Sequence, residues 1–278
     1  MPVTAPSSDL QRGVDSFFDA NVDYWGAIYG RQELQGLVYQ RRMETAAAWA
    51  AELGLAPGAA ALDAGCGAGL MSVELARRGL SVSGTDSSSQ MVQAASERAA
   101  AQGLSIRFTA ADVHQLPFGD GEFALIVALG LLPWLHDPGR AVAEFARVLA
   151  PGGWIILSAD NHYRLNRLVE PREIPLLSPL RPVKRMFSPP PPPGEGAPAY
   201  RHAPREVDGL LASEGINVVR RATVGYGPFT VMGRRVLPDW AGTWLHERLE
   251  RAARGHPRLR GSGWHYVVAG RKDAGRDS

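Results

Sequence analysis

Between residues 53 and 158, short apolar runs alternate with stretches of helical periodicity, the pattern that βαβ units and a mostly parallel sheet produce. Residues 59–63 read as a first strand that runs into glycines, and residues 70–78 as a helix stopped by Gly79. Residues 80–85 form a second strand reaching Asp86. The next helix starts at Ser87, whose spacing to Gln90 fits a capping box, and continues through Met91 and Ala95 to Gly103. Residues 106–110 give a third strand ahead of Asp112, and the continuous apolar run FALIVALG a central strand buried on both faces. Asp137-Pro138 opens a helix with Val142, Phe145, Val148 and Leu149 on one side; APGG at 150–153 ends it, and WIILS is a fifth strand.

Beyond residue 160 the rhythm breaks. Residues 161–203 are basic and proline-rich, and the five prolines at 189–193 exclude a helix or central strand there. REVDGLLASEG then predicts a helix, INVVRRATV a sixth strand and WHYVVAGR a last one, with a second interruption at 228–262 carrying a helix over PDWAGTWLHERLERAAR. The expected organisation is four segments: an N-terminal helical part (1–52), a core (53–160), the proline-rich insertion (161–203), and the rest of the core with its own insertion (204–278). The fold expected is α/β, a doubly wound, seven-stranded and mostly parallel sheet.

Composition narrows the function. Thirty basic against 28 acidic side chains leave a formal charge of +2, too balanced for a dedicated nucleic-acid binder, so no nucleic-acid partner is expected. A single cysteine, Cys66, excludes an intrachain disulfide and a cysteine-rich metal site, so no metal is expected and a reducing compartment, the cytoplasm, is the expected location. The first residues lack an apolar run behind a basic start, and no stretch of about 18 apolar residues occurs, so no transmembrane segment is expected.

The chemistry centres on ALDAGCGAG at 61–69. Glycines between a strand and a helix let a ligand approach the backbone without meeting Cβ atoms, at the sheet edge where nucleotide-type ligands bind. The dinucleotide fingerprint G-x-G-x-x-G needs its third glycine at position 70, which is Leu70. The acid ahead of the glycines, Asp63, would repel a pyrophosphate and attract an ammonium group.

ALDAGCGAG resembles the first motif of the class I S-adenosylmethionine-dependent methyltransferases, and VSGTDSSSQM, AADVHQLPF, ALGLLPWLHDP and RVLAPGGWIIL resemble its later motifs in order and spacing, over about residues 55–160. The branch resembled includes the ubiquinone and menaquinone methyltransferases. The resemblance implies a Rossmann-like methyltransferase fold and S-adenosyl-L-methionine as cofactor, with S-adenosyl-L-homocysteine as product. Asp63, Gly65, Cys66, Gly67 and Gly69 would form the glycine loop, with Cys66 offering its backbone. Asp86, beside Ser87, would accept from the ribose hydroxyls, and Met91 would pack beside the adenine. Asp112 and the backbone of Val113 would read the adenine edge, and Ala128 and Leu129 close the fourth strand.

In similar enzymes a helix such as the one predicted over VDSFFDANVDYWGAIYG lies across the cofactor as a cap. Tyr24 and Tyr29 then become candidates for the sulfonium region, where a π face favours positive charge. Arg42, next to Arg41, is the candidate for the methionine carboxylate. Methyl transfer from a sulfonium is an in-line displacement driven largely by placement, and it needs a base only where the acceptor loses a proton. His136 and His162, after the fourth and fifth strands, are the candidate bases.

The expected reaction is methylation of a small molecule, preferably at an oxygen of a secondary metabolite, sugar or quinone-like compound. N- or C-methylation, a macromolecular acceptor, a nicotinamide-dependent oxidoreductase and a non-catalytic cofactor-binding protein are the alternatives. Arg164, Arg167, Arg172, Arg181, Lys184 and Arg185 in the first insertion read as a cover over a partly apolar or anionic acceptor, or as a peripheral membrane contact. Trp240, Trp244 and Leu245 beside Arg248, Arg251 and Arg254 in the second read the same way.

Overall fold

A computed structural model of the chain describes residues 8–165, 199–231 and 234–274. The five consecutive prolines and Arg167, Arg172, Arg181, Lys184 and Arg185 lie outside the described residues.

The apolar runs form strands β1 (Ala60–Ala64), β2 (Ser81–Asp86), β3 (Arg107–Ala110), β4 (Phe123–Ala128) and β5 (Leu149–Asp160), followed by β6 (Ile216–Val224) and, after a two-strand hairpin β7 (Thr230–Val231) and β8 (Arg234–Arg235), by β9 (His265–Lys272). Seven of them make one sheet in the order β3-β2-β1-β4-β5-β9-β6. The pairs from β3 to β5 are parallel, and β9 runs antiparallel between β5 and β6. The strand order reverses beside β1, between β1 and β4, which places a ligand crevice at the carboxyl ends of these strands.

The sheet is buried on both faces because its central strands are apolar along most of their length, with the acids Asp63 and Asp160 near their carboxyl ends. Leu62, Ile126, Ile155 and Leu157 pack with Val142 and Phe145 of α6 (Pro138–Val148) and with Val207 and Leu211 of α7 (Pro204–Ser213). Their strand neighbours Ala61, Leu125, Val127 and Ile156 face the opposite way, onto Ala46, Ala50 and Trp49 of α3 (Leu34–Glu52) and onto Met71 and Leu75 of α4 (Leu70–Arg77). Each fully buried Leu, Ile or Phe contributes about 1.5–3 kcal/mol.

Two local readings are corrected. The helix α5 (Ser89–Ala100) is capped by Ser88, whose Oγ accepts from the Met91 N–H at 3.1 Å, and not by Ser87. Ser87 Oγ instead donates to Asp15 of α1 (Ser8–Asp19) at 2.7 Å, and Ser88 Oγ donates to Asp19, so neighbouring hydroxyls clip α1 to the start of α5. The APGG stretch does not separate helix from strand. α6 ends at Val148, and β5 begins at once, with residues 150–153 bulging between the pairs Phe123↔Leu149 and Leu125↔Trp154.

The N-terminal segment folds as α1, α2 (Val22–Ala27) and α3. The second insertion packs against it: α8 (Asp239–Gly255) and the short α9 (Pro257–Arg260) build a third apolar cluster in which Leu34 and Val38 of α3 meet Tyr226, Phe229, Ala253, Leu245 and Trp264. Among the described residues, no helix is long and apolar enough to cross a membrane.

Candidate active site

The glycine loop is built from three left-handed residues, Gly65, Gly67 and Gly69, at φ +68°, +50° and +76°. They are bare for different reasons. A Cβ on Gly65 would lie 2.8 Å from Leu131 Cδ1 and one on Gly69 2.8 Å from Ala95 Cβ, so these two allow the loop to pack against its neighbours. A Cβ on Gly67 would meet nothing within 4 Å, and this residue alone turns its bare side to the cleft. Arg98 of α5 braces the loop from outside, its Nε donating to the Ala68 carbonyl at 2.7 Å and Nη2 to the Gly26 carbonyl of α2 at 3.2 Å.

The strand-end acids converge on this loop. Asp63, 2% exposed, accepts from Ser72 Oγ at 2.6 Å. Burial pushes its pKa up to about 7, against the lowering effect of the Ser72 bonds. Asp86 accepts from the Gly67 N–H at 2.9 Å and from the Ser88 N–H at 3.0 Å, which fixes both carboxylate oxygens at the cleft wall. Burial raises its pKa, the two amides oppose the rise, and Asp15 and Asp19 add repulsion. Both sites are short of positive charge and favour a ligand that brings a cation to Asp63 and hydroxyl donors to Asp86.

Asp112, at the surface end of the cleft, accepts from the His114 N–H at 2.9 Å and lies 2.6 Å from His114 Nδ1. Its pKa is lowered: partial burial pushes it up, and the His114 backbone and ring outweigh that push. Met91 is fully buried, and with Val113 and Ser87 it lines the same wall. Cys66 lines the loop with its thiol pushed well up by burial and by Asp63 and Asp86, which removes it as a nucleophile.

The opposite wall comes from the N-terminal helices and the loop after β4. Phe18, Trp25 and Trp134 form an aromatic cluster, with Phe18 to Trp134 at 5.1 Å and Trp25 to Trp134 at 6.4 Å between centroids. Arg42, 4% exposed, donates to Tyr29 Oη at 2.5 Å, and its guanidinium carbon lies 5.0 Å from the centre of the Tyr39 ring. Gly130, at φ +70°, makes room for it: a Cβ there would lie 2.3 Å from Arg42 Nη1. Among the described residues, Arg42 Nε has no hydrogen-bond partner, so a buried cation at the cleft wall retains a donor for an anionic group.

Of the residues singled out in the sequence, Tyr29, Arg42, Asp63, Gly65, Cys66 and Gly67 line this cleft, as do Asp86, Ser87, Met91, Asp112, Val113 and Leu129. Five do not. Tyr24 faces away on α2 under the guanidinium of Arg31, 5.0 Å from the ring centre, because Trp25 takes the inward position. Gly69 sits behind the loop against Ala95. Ala128 is buried in the apolar layer between β4 and α6. His136 stacks on His114 at 4.0 Å, and burial followed by the His114 charge lowers its pKa. His162 stands edge-on to the exposed Tyr163 at 5.3 Å. Arg41 is likewise spent, on Glu44 at 3.2 Å and Glu250 at 3.5 Å.

Sequence reasoning missed Tyr39, Asp160 and His265. Asp160 lines the cleft, with His265 Nδ1 3.2 Å from its Oδ1. Its signal was present: Asp160 closes β5 as Asp63 and Asp86 mark the ends of β1 and β2. Among the described residues, no group of three or more His, Cys, Asp or Glu is arranged to hold a metal.

Residues 62–157 match a family model described as a methyltransferase domain. The chain is 32% identical over 170 residues to a ubiquinone biosynthesis O-methyltransferase of a Caulobacter species, covering 61% of this chain and 64% of that protein. It is 37% identical over 106 residues to an uncharacterized protein of Mycobacterium tuberculosis, covering 38% of each. The chain thus spans less than two thirds of the length of these curated relatives. Among solved structures it is similar to magnesium protoporphyrin IX methyltransferase from Synechocystis with bound SAH, at a TM-score of 0.65 and 19% identity over 95% of this chain and 100% of that one. It is similar also to the cyclase SpnF, at a TM-score of 0.64 and 20% identity over 99% of each. At these identities the two structures show a shared fold, and the second shows that the fold carries more than one chemistry.

Proposed function

We propose that the chain is a class I S-adenosylmethionine-dependent methyltransferase, a reading supported by the match of residues 62–157 to a methyltransferase domain, and that it transfers the methyl group of S-adenosyl-L-methionine to an oxygen of a small, quinone-like or otherwise aromatic acceptor, releasing S-adenosyl-L-homocysteine. One observation carries the reading: three acids from successive strand ends, Asp63, Asp86 and Asp112, share a cleft with a glycine, Gly67, that turns its bare side to the open space.

The residues present fit the cofactor. Asp63 offers a carboxylate to an ammonium group, Asp86 offers acceptors to ribose hydroxyls, and Asp112 with the Val113 backbone offers the adenine edge its partners. Arg42 offers the methionine carboxylate a buried guanidinium with an unspent donor. When bound, the cofactor supplies an electrophilic methyl on sulfur, and the chain's part is to hold an acceptor in line and exclude water. The aromatic wall of Phe18, Trp25 and Trp134 suits a flat apolar acceptor. The preference for oxygen draws support from the relative named as an O-methyltransferase.

The proposed location is the cytoplasm, with a peripheral membrane contact at α8. Trp240 and Trp244 are 77% and 54% exposed one turn apart, with Arg248 4.9 Å over the Trp244 ring, a face suited to an anionic lipid interface.

Calorimetric titration of the ligand-free protein with S-adenosyl-L-homocysteine and separately with NADH tests the reading. Binding of the first alone is expected. Binding of NADH alone, or of neither, overturns it.

A further inference from the structure

The candidate bases of the sequence, His136 and His162, do not line the cleft; one carboxylate on the acceptor side does. Asp160 ends β5, and the β5–β9 register sets it opposite His265, the first residue of β9. His265 is 1% exposed, its Nδ1 lies 3.2 Å from Asp160 Oδ1, and neither ring nitrogen closes an aligned hydrogen bond among the described residues. The imidazole is held against the Tyr39 ring at 5.3 Å between centroids. Asp160 thus has a buried imidazole 3.2 Å from its Oδ1 and lines the same cleft as Tyr39, Phe18, Trp25 and Trp134.

Resting on the methyltransferase reading above, we propose that Asp160 is the catalytic residue that receives the acceptor's proton, that His265 is its positioning residue, and that the acceptor carries an aromatic hydroxyl. The acceptor O–H donates to the Asp160 carboxylate. An oxygen lone pair forms the new O–CH3 bond as the S–CH3 bond breaks, and the pair from that bond stays on sulfur as a neutral thioether. The proton leaves oxygen for Asp160 and then passes to solvent. The charges balance: a sulfonium, a carboxylate and a neutral phenol become a thioether, a carboxylic acid and an aryl ether. A weak base suffices, since an oxygen that gains a methyl cation while still protonated becomes a far stronger acid than a carboxylic acid.

The groups facing Asp160 support this role. Arg42 and Tyr39 approach from α3, Arg164 from the segment after β5, and His265 from β9; burial acts to raise the Asp160 pKa, and His265, Arg164 and Arg42 outweigh it, so the carboxylate stays ionised. Burial followed by the Arg42 charge lowers the His265 pKa to about 4, so at neutral pH the ring is uncharged and steadies Asp160 without neutralising it. The aromatic walls and the neighbouring Arg42 suit a phenol, a catechol or a hydroquinone.

The test uses the full chain with S-adenosyl-L-methionine and phenol, catechol, hydroquinone and 4-nitrocatechol as probes, with aniline as the amine control. Methylation of at least one hydroxyl probe and none of aniline is expected. Asp160→Asn is expected to lower kcat on that probe by roughly 100-fold or more, the scale of general-base catalysis, while S-adenosyl-L-homocysteine affinity stays within about threefold. For 4-nitrocatechol, already ionised at mildly alkaline pH, the loss shrinks to about tenfold or less, which a merely structural role would not produce. His265→Gln should retain part of the activity and displace the acid limb of the pH–rate profile, and that limb should vanish in Asp160→Asn.

Equal losses on phenol and 4-nitrocatechol, or Asp160→Asn within threefold of wild type, overturn the assignment. If S-adenosyl-L-homocysteine binds and no hydroxyl probe is methylated, or aniline is methylated instead, the inference about the acceptor falls together with the preference for oxygen, and the use of S-adenosyl-L-methionine stands. Failure of S-adenosyl-L-homocysteine to bind overturns the methyltransferase reading itself.

Discussion

The cleft has two halves that are assembled differently. The half proposed for the cofactor, around Asp63, Gly67, Asp86 and Asp112, comes from fifty consecutive residues, each acid at or just past a strand's end in a repeated βα rhythm. The half proposed for the acceptor brings together Tyr39 and Arg42 from α3, Asp160 from β5 and His265 from β9, three segments more than a hundred positions apart. Their electrostatics differ as well. The first half holds two acids short of counter-charge, Asp63 and Asp86, whereas the second sets the Asp160 carboxylate near Arg42 and Arg164, which favour its ionised form before any ligand arrives. A carboxylate with cations near it is held ionised, and one without them favours a ligand that brings the missing charge.

That contrast is most directly broken at Arg42, which serves both halves. Arg42→Met should leave Asp160 without its buried partner and destabilise the protein by about 3–5 kcal/mol, read as a fall in Tm or denaturant midpoint. Affinity for S-adenosyl-L-homocysteine should fall at the same time, in the fraction that remains folded. A variant with unchanged stability would mean that the two halves are not coupled through this side chain.

Next in size is Asp86→Ala, which removes the proposed ribose acceptor and frees the Gly67 and Ser88 amides. Calorimetry should show a loss of affinity of about 2–3 kcal/mol, roughly 30- to 150-fold, with the acceptor half unaffected. Gly67→Val should act in the same direction, because a branched side chain at φ +50° is strained and points into the cleft. If both variants bind as tightly as wild type, the cofactor half has been misassigned.

The pH response separates the halves with smaller effects. Asp63 rises from an ordinary 3.8 to about 7 on folding, so its contribution to stability is full below the ordinary value and is lost as pH rises through 7. His265 falls from 6.5 to about 4, so its contribution is full above 6.5 and is lost as pH falls through 4. Binding an ammonium group requires ionised Asp63. Affinity for S-adenosyl-L-homocysteine should therefore weaken by up to about tenfold per unit as pH falls below 7, and Asp63→Asn should flatten that slope. A wild-type titration independent of pH between 5 and 8 would remove Asp63 from the ammonium site. Smallest is Ser88→Ala: loss of the α5 cap should cost about 1 kcal/mol of stability in urea unfolding.

By itself, the sequence determined what repeats locally. Apolar runs and helical periodicity in residues 53–160 specified alternating strands and helices, and the acids at 63, 86 and 112 marked where those strands open onto the cleft. The physical reason is that burial on both faces requires strands apolar along most of their length, and that an acid beside a glycine turn at a strand's end can only lie at the sheet edge. Tertiary structure alone decided which of Tyr24 and Trp25 turns inward, that Ser87 bonds to Asp15 while Ser88 caps the helix, and that His136 is spent against His114. It alone placed Arg42, Tyr39 and His265 around Asp160. Burial of a charge is affordable only where partners from distant segments converge, and an antiparallel strand inserted between β5 and β6 brings one of them there.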